Sequence, residues 1–305
     1  NAETKNLQYT TQTSLGTINS PASFMGAWST GGNMNVARCS LWGTGTQGAT
    51  LAFGGVVPGN SIIACTEEYN GSAWTNQNAL ITARLYISGN GTQNAGLAYG
   101  GMTPAQVSCT EEYGGVSWAA GGAMPATTRN LAGAGTQDAA IAMGGVGDLD
   151  GAVIYNGSSW SSVANMNTGR RDLEGAGTQN AAINFGGGSP SPLTCAEEYN
   201  GTTFSKVNSL NNARNGLGGG GTQDEALAFA GYLPGTVNTT DTEEWNGTTW
   251  VTSNPLNGNA RRNLGGAGNQ SAGIAFGGAA PGISSLTEEY TKNNIPPYTT
   301  CVWTS

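Results

Sequence analysis

The chain of 305 residues carries a net charge of −8, three lysines and no histidine, and only 10 % of it is charged. That balance gives no electrostatic basis for holding nucleic acid, and without histidine a Ser-His-Asp arrangement cannot be built. No apolar run reaches the roughly 20 residues of a membrane span, and 50 glycines with eight Trp and ten Tyr fit many short strands joined by turns better than helices or disorder.

Residues 1–22 match nothing that follows and are read as an N-terminal arm. Ala27-Trp28-Ser29, followed by Met34 and Arg38, has the form of an outer strand and its exit, with no three strands before it. From there the phrase Gly-Thr-Gln returns at Gly45, Gly91, Gly135, Gly177 and Gly221, and as Gly268-Asn269-Gln270, in steps of 46, 44, 42, 44 and 47 residues. A fixed period in this range marks a repeat architecture.

Residues 84–124 serve as the type unit. Arg84–Gly89 reads as a first strand, Gly91-Thr92-Gln93-Asn94 as a turn, and Ala95–Tyr99 as a second strand ending in Gly100-Gly101. After a variable loop come a third strand, Cys109–Tyr113, a tight turn and a fourth strand around Trp118. In four other units this turn is Asn-Gly, beginning at Asn70, Asn156, Asn200 and Asn246. Asn-Gly suits a type I′ hairpin, which needs positive φ at both central residues. The Asn-x-Ser/Thr sequons that result are turn chemistry first. Four antiparallel strands per unit, repeated six times, make a propeller pattern.

The order of marks resembles the kelch repeat: Gly-Gly closing the second strand, Tyr in the third, Trp in the fourth, then Met-x-x-x-Arg. Phe204 replaces one Trp, Trp245 one Tyr and Ala230 one Gly. The resemblance implies an all-β, six-bladed kelch-like β-propeller over residues 23–291, with four antiparallel strands per blade, followed by a C-terminal tail, 292–305. An N-terminal strand is expected to close the ring, since its register to Met34 and Arg38 fits the other units. Thr300–Trp303 is the alternative closure. The phrasing of the units is also similar to kelch-like proteins of marine bacteriophages, which implies a structural, binding or adhesion role in a virion or at an extracellular surface.

All eight arginines fall six or seven residues before the Gly of the repeated phrase. In acid-binding kelch receptors, arginines at this junction hold carboxylates, so the resemblance implies a ligand-binding ring of Arg38, Arg84, Arg129, Arg171, Arg214 and Arg262 at a channel mouth. Guanidinium forks suit carboxylate, sulfate and phosphate. The alternative is that each Arg pairs with a Glu, or caps strand-end carbonyls, inside its own blade. Ten of the thirteen Glu stand as adjacent pairs on third strands, starting at Glu67, Glu111, Glu197, Glu243 and Glu288. Neighbouring strand residues face opposite ways, so a pair cannot act as one catalytic unit. One member is expected to be buried against a neighbouring loop and the other to face solvent or the next blade.

Cys65, Cys109 and Cys195 occupy one slot in three blades, too far apart for disulfides, and are expected to be reduced, buried and apolar. Cys39 and Cys301 could pair near the ring closure. The copper oxidases that share the kelch-like fold use His ligands, which this chain lacks, so no metal or cofactor is expected. The loops after Gly-Gly vary most and carry Ile62, Ile63, Tyr232 and Leu233, a loop face fit for recognition. The reading that results is a non-enzymatic binding or assembly propeller with a protein partner or a place in a larger particle. A carbohydrate-binding propeller, meeting a host surface glycan, is the alternative. A hydrolase using Asp148, Asp150, Asp172 or Asp241 is third.

Overall fold

Each repeated Gly-Thr-Gln closes a hairpin between the two innermost strands of a four-stranded antiparallel sheet, and six such sheets stand around a central channel. The computed structural model describes residues 25–292. Blade 1 runs Trp42–Thr46, Ala49–Phe53, Thr66–Tyr69 and Trp74–Gln77. Blade 2 runs Ser88–Gly91, Gly96–Tyr99, Thr110–Tyr113 and Trp118–Ala120, and blade 3 runs Ala132–Gly135, Ala140–Met143, Ala152–Tyr155 and Trp160–Ser162. Blade 4, with the longest inner hairpin, runs Arg171–Thr178, Ala181–Gly188, Ala196–Tyr199 and Phe204–Val207. Blade 5 runs Gly218–Gly221, Ala226–Phe229, Thr242–Trp245 and Trp250–Ser253.

Blade 6 takes three strands from the end of the repeat, Gly265–Gly268, Ala272–Phe276 and Thr287–Thr291, and its outer strand, Ala27–Thr30, from the beginning. Trp28 stands opposite Tyr290, as Trp74 stands opposite Tyr69 in blade 1. The N-terminal strand therefore closes the ring. Thr300–Trp303 and any pairing of Cys301 lie outside the described residues, as do residues 1–22 and most of the tail.

The repeated marks act between blades. Gln93 Nε2 donates to the carbonyls of Thr50 and Tyr69 in the preceding blade at 3.3 and 2.7 Å, and Gln47, Gln137, Gln179, Gln223 and Gln270 do the same at their own seams. Position one of the phrase is Gly because the backbone is left-handed there, with φ of 112° at Gly45 and 115° at Gly221. The Thr92 hydroxyl accepts the N–H of Ala95 to cap the turn, and in the variant copy Asn269 Oδ1 accepts that of Ala272. The second Gly of Gly-Gly donates its N–H across the seam, as from Gly55 to the carbonyl of Arg84 at 2.8 Å.

Trp indoles form the third link. Trp118 Nε1 donates to Thr66 Oγ1 of the preceding blade at 3.0 Å, and Trp28, Trp74 and Trp160 repeat it at Thr242, Thr287 and Thr110. Tyr hydroxyls form the fourth: Tyr113 donates to Glu68 at 2.9 Å, Tyr155 to Glu112 and Tyr69 to Glu289. The seam between blades 3 and 4 departs from this. There Phe204 meets Ala152, and Tyr199 comes to a blade with Ile154 in the Glu slot, so the packing is apolar, with Ile141, Met143, Met166 and Leu173 around them.

Candidate functional site

Between the outer strand of one blade and the inner strand of the next, the chain crosses the top of the ring. The first expected strand of the type unit begins at Ser88 rather than Arg84, because Tyr86 sits at φ 54° and breaks the extended run. Equivalent residues take the same left-handed backbone in every blade: Ser40, Asn130, Asp172 and Asn263 have φ between 51° and 60°, and Gly216 has 56°, although in blade 4 the strand pairing resumes on both sides of Asp172. Their backbones form a closed cycle. Tyr86 N–H donates to Ser40, Asn130 to Tyr86, Asp172 to Asn130, Gly216 to Asp172, Asn263 to Gly216 and Ser40 to Asn263, all at 2.8–3.1 Å. Non-glycine residues in this conformation cost of order 1 kcal/mol each, and six mutual hydrogen bonds hold the collar against that cost.

Two residues before the collar, five blades bury an arginine completely: Arg38, Arg84, Arg170, Arg214 and Arg261. Each meets the first Glu of the pair in its own blade, as Arg84 meets Glu111 at 2.8 Å, Arg214 meets Glu243 at 2.8 Å and Arg261 meets Glu288 at 2.7 Å. The same carboxylates accept backbone N–H groups of the crossing segment, such as Asn35 on Glu67, Ile81 on Glu111 and Asn211 on Glu243. Burial pushes the guanidinium pKa of Arg84, Arg170, Arg214 and Arg261 down from its ordinary value. The expectation of a six-membered ligand ring is corrected at three positions: Arg38, Arg84 and Arg214 are sealed inside these pairs and cannot reach a ligand. The within-blade Arg–Glu alternative describes them.

The residue next to the collar on the same crossing segment is buried in blades 1 and 2, as Cys39 and Leu85, and lines the open face in blades 3 to 6. Here stand Arg129, Arg171 and Arg262, with Asn215 between the last two blades of the group. With Tyr86, Tyr232, Asn130, Asp172, Asn263 and Val146 they line an open hollow of about 490 Å³ above the collar. Arg262 lies 4.4 Å over the Tyr232 ring and donates to Asn238 Oδ1 at 3.3 Å, and Arg129 lies 5.3 Å over Tyr86 with Nη1 against Met102 Sδ. Arg171 is held between Asp148 at 3.1 Å and Asp172 at 3.7 Å. Burial raises the Asp172 pKa, against the hydrogen bond from Asn130 and the charges of Arg171 and Arg129. Among the described residues Arg129 and Arg262 have no carboxylate within ion-pair distance.

The variable loops share this face. Cys39 bridges to Val56, Leu85 to Met102, Asn215 to Tyr232 and Arg262 to Ala279. Tyr232, half-buried, belongs to the cationic hollow. Ile62 lines a neighbouring hollow of about 370 Å³ over blades 6, 1 and 2 with Cys39, Val56, Leu85, Met102 and Ile283, and Tyr86, Arg262 and Asn263 line both hollows. Leu233 pairs with Val237 in a two-residue hairpin, and neither Leu233 nor Ile63 lines the two hollows. Sequence reasoning missed Tyr86, Asn130, Asn215 and Asn263. The signal for Tyr86, Asn130 and Asn263 was a slot of Ser, Tyr, Asn, Asp, Gly and Asn five residues before the repeated Gly, a composition that tolerates left-handed backbone better than most, while Asn215 stands one residue earlier, in the slot of Arg129, Arg171 and Arg262.

Cys39 is buried, while Cys65, Cys109 and Cys195 are half-buried, less enclosed than expected, and all four are free thiols. Asp148 and Asp172 flank one guanidinium, and Asp241 accepts from Asn212 in the blade 5 loop. Among the described residues no three His, Cys, Asp or Glu side chains gather as a metal cluster, and no helix is long and apolar enough to cross a membrane. No protein-family model matches the chain, and no curated protein matches it.

Proposed function

We propose that this protein is a non-enzymatic recognition propeller that captures an anionic partner on its collar face. The observation that carries this reading is the pair Arg129 and Arg262, stacked on tyrosines in an open hollow and free of acidic partners. A collar held by a closed hydrogen-bond cycle supports the reading further, since pre-organisation lowers the ordering cost of binding. Lack of histidine throughout the chain favours binding over general acid–base catalysis. The kelch-like marks and the phrasing similar to marine bacteriophage proteins favour a place in a virion or at an extracellular surface, with a protein as partner.

A sugar-binding role is less favoured on one ground. The two tyrosine faces on which a pyranose would stack are covered by guanidinium groups. The test is calorimetric titration with citrate and with a poly-glutamate peptide, wild type against R129A/R262A. Saturable binding that the variant loses at unchanged melting temperature supports the proposal, and equal binding by both proteins, or none by the wild type, overturns it. Light scattering and negative-stain imaging of the native particle test the assembly role: an ordered high-mass particle is expected, and a lone monomer contradicts it.

A further inference from the structure

Two blades carry the same small hairpin after Gly-Gly, and the two copies differ in their side chains. In blade 1, Val56–Val57 pairs with Ser61–Ile62 around Pro58-Gly59-Asn60. In blade 5, Tyr232–Leu233 pairs with Val237–Asn238 around Pro234-Gly235-Thr236. Both tips take left-handed backbone at the same two places, Gly59 with Asn60 and Gly235 with Thr236. On this common scaffold the first cross-strand pair changes from Val56 and Ile62 to Tyr232 and Asn238. Tyr232 and Asn238 hold Arg262, one by its ring face and the other through Oδ1 at 3.3 Å. Val56 and Ile62 are half-buried and offer only hydrocarbon to the hollow of about 370 Å³ that they line.

The slot just before the collar changes in the same sense, with Cys39 and Leu85 in blades 1 and 2 against Arg129, Arg171 and Arg262 in blades 3, 4 and 6. Backbone groups under the apolar hollow are already paired. Cys39 and Val56 exchange hydrogen bonds at 3.1 and 2.9 Å, Leu85 and Met102 at 3.0 and 2.9 Å, and Arg262 and Ala279 at 3.0 and 2.8 Å. A polar occupant would lose water there without gaining a partner, whereas an aliphatic side chain would gain by leaving water.

Arg262 is the only charged residue lining this hollow among the described residues, and with Tyr86 and Asn263 it also lines the cationic hollow of about 490 Å³. An acid held by Arg262 therefore stands next to apolar surface. In an extended chain, side chains two residues apart face the same way at about 7 Å, a spacing that lets one segment use both hollows.

We propose that the two hollows form one two-part docking surface for an extended segment of a partner protein in which an acidic residue stands two positions from an aliphatic one. The acid meets Arg262 and Arg129, and the aliphatic side chain enters the hollow walled by Val56, Ile62 and Ile283. Continuity of the hollows and charge complementarity at Arg262 select this occupant. The proposal rests on the recognition role of the collar face and adds to it the sequence pattern that the face selects.

The test is calorimetric titration of the full chain with the peptide Leu-Ser-Glu-Ser-Glu-Ser-Leu, capped at both ends, beside analogues with serine for leucine and with glutamine for glutamate. The leucine peptide is expected to bind about tenfold or more tighter than its serine analogue, and the glutamine analogue should bind more weakly than either. Val56→Tyr with Ile62→Asn places the blade 5 pair on the blade 1 hairpin. This variant should lose the preference for leucine and keep its affinity for poly-glutamate. If it does not fold, Ile283→Ser, in the blade 6 loop, should reduce the preference about threefold or more. Equal affinity for the leucine and serine peptides, or a glutamine analogue that binds as tightly as the leucine peptide, overturns the two-part surface. A leucine preference unchanged in these variants overturns it too. Poly-glutamate binding that persists in those cases leaves the anion site standing, and failure of both the leucine peptide and poly-glutamate to bind overturns both readings.

Discussion

Thr128 and Val153 of blade 3 occupy the two positions at which every other blade pairs a buried arginine with a buried glutamate. The pair is replaced as a unit: neither a lone Arg nor a lone Glu is left behind. Removing one partner of a buried ion pair leaves an uncompensated charge, whereas removing both can be close to neutral. Arg84→Thr or Glu111→Val alone should therefore cost about 3–5 kcal/mol. The double variant should recover at least about 2 kcal/mol of the summed loss. Urea unfolding of the four proteins measures the cycle, and strictly additive losses would refute the coupling.

The seam between blades 4 and 5 has an indole without an acceptor. Trp250 Nε1 is buried and unpartnered, and the slot that holds Thr66 opposite Trp118 holds Ala196 here. Ala196→Thr should restore the link and stabilise the protein by about 0.5–1.5 kcal/mol. Trp250→Phe should cost less than Trp118→Phe, which orphans the Thr66 hydroxyl. Thermal denaturation of the three variants ranks them.

Gln93 holds the carbonyls of two strands in the preceding blade. Gln93→Ala leaves both without that donor and should destabilise by about 1–3 kcal/mol. Gln93→Glu should be worse, because a carboxylate offers no donor and faces two carbonyl oxygens. Hydrogen exchange at the seam between blades 1 and 2 should rise before that of the blade cores.

Glu174 ties stability to pH. Its folded pKa, about 8, is raised above the ordinary 4.5 by burial. Below pH 4.5 both folded and unfolded chains hold the proton, so the group costs nothing. Between 4.5 and 8 the unfolded chain ionises while the folded one does not, and stability falls by about 1.4 kcal/mol per pH unit. Above 8 the loss levels off. Glu174→Gln should abolish this slope and be the more stable form at pH 8. Parallel pH profiles for both proteins would contradict it.

Strand number, hairpin turns and ring closure could be read from the chain because each depends on a local mark: Asn70-Gly71 for a turn, Trp28 with Met34 and Arg38 for the closing strand. The inter-blade partners could not, since Gln93 acts on residues 24 and 43 positions away, in another blade. Three of the six arginines expected in a ligand ring, Arg38, Arg84 and Arg214, were misread for a related reason. Arg261 and Arg262 are adjacent, yet Arg261 is fully buried in the blade and Arg262 lines the open hollow, so one residue of spacing to the repeated Gly separates the two sets. Glu174 was visible as an acid outside the Glu pairs, but its burial depends on the seam between blades 4 and 5, where it packs against Gly219.

The division of the arginines into buried braces and a collar-face set is tested most directly by melting temperature across all eight Arg→Ala variants. Substitution at Arg38, Arg84, Arg170, Arg214 or Arg261 should lower it by roughly 10 °C, while Arg129, Arg171 and Arg262 should stay within about 2 °C of wild type. Comparable losses at all eight positions would show that the collar-face arginines are also braces, and the recognition site would lose its basis.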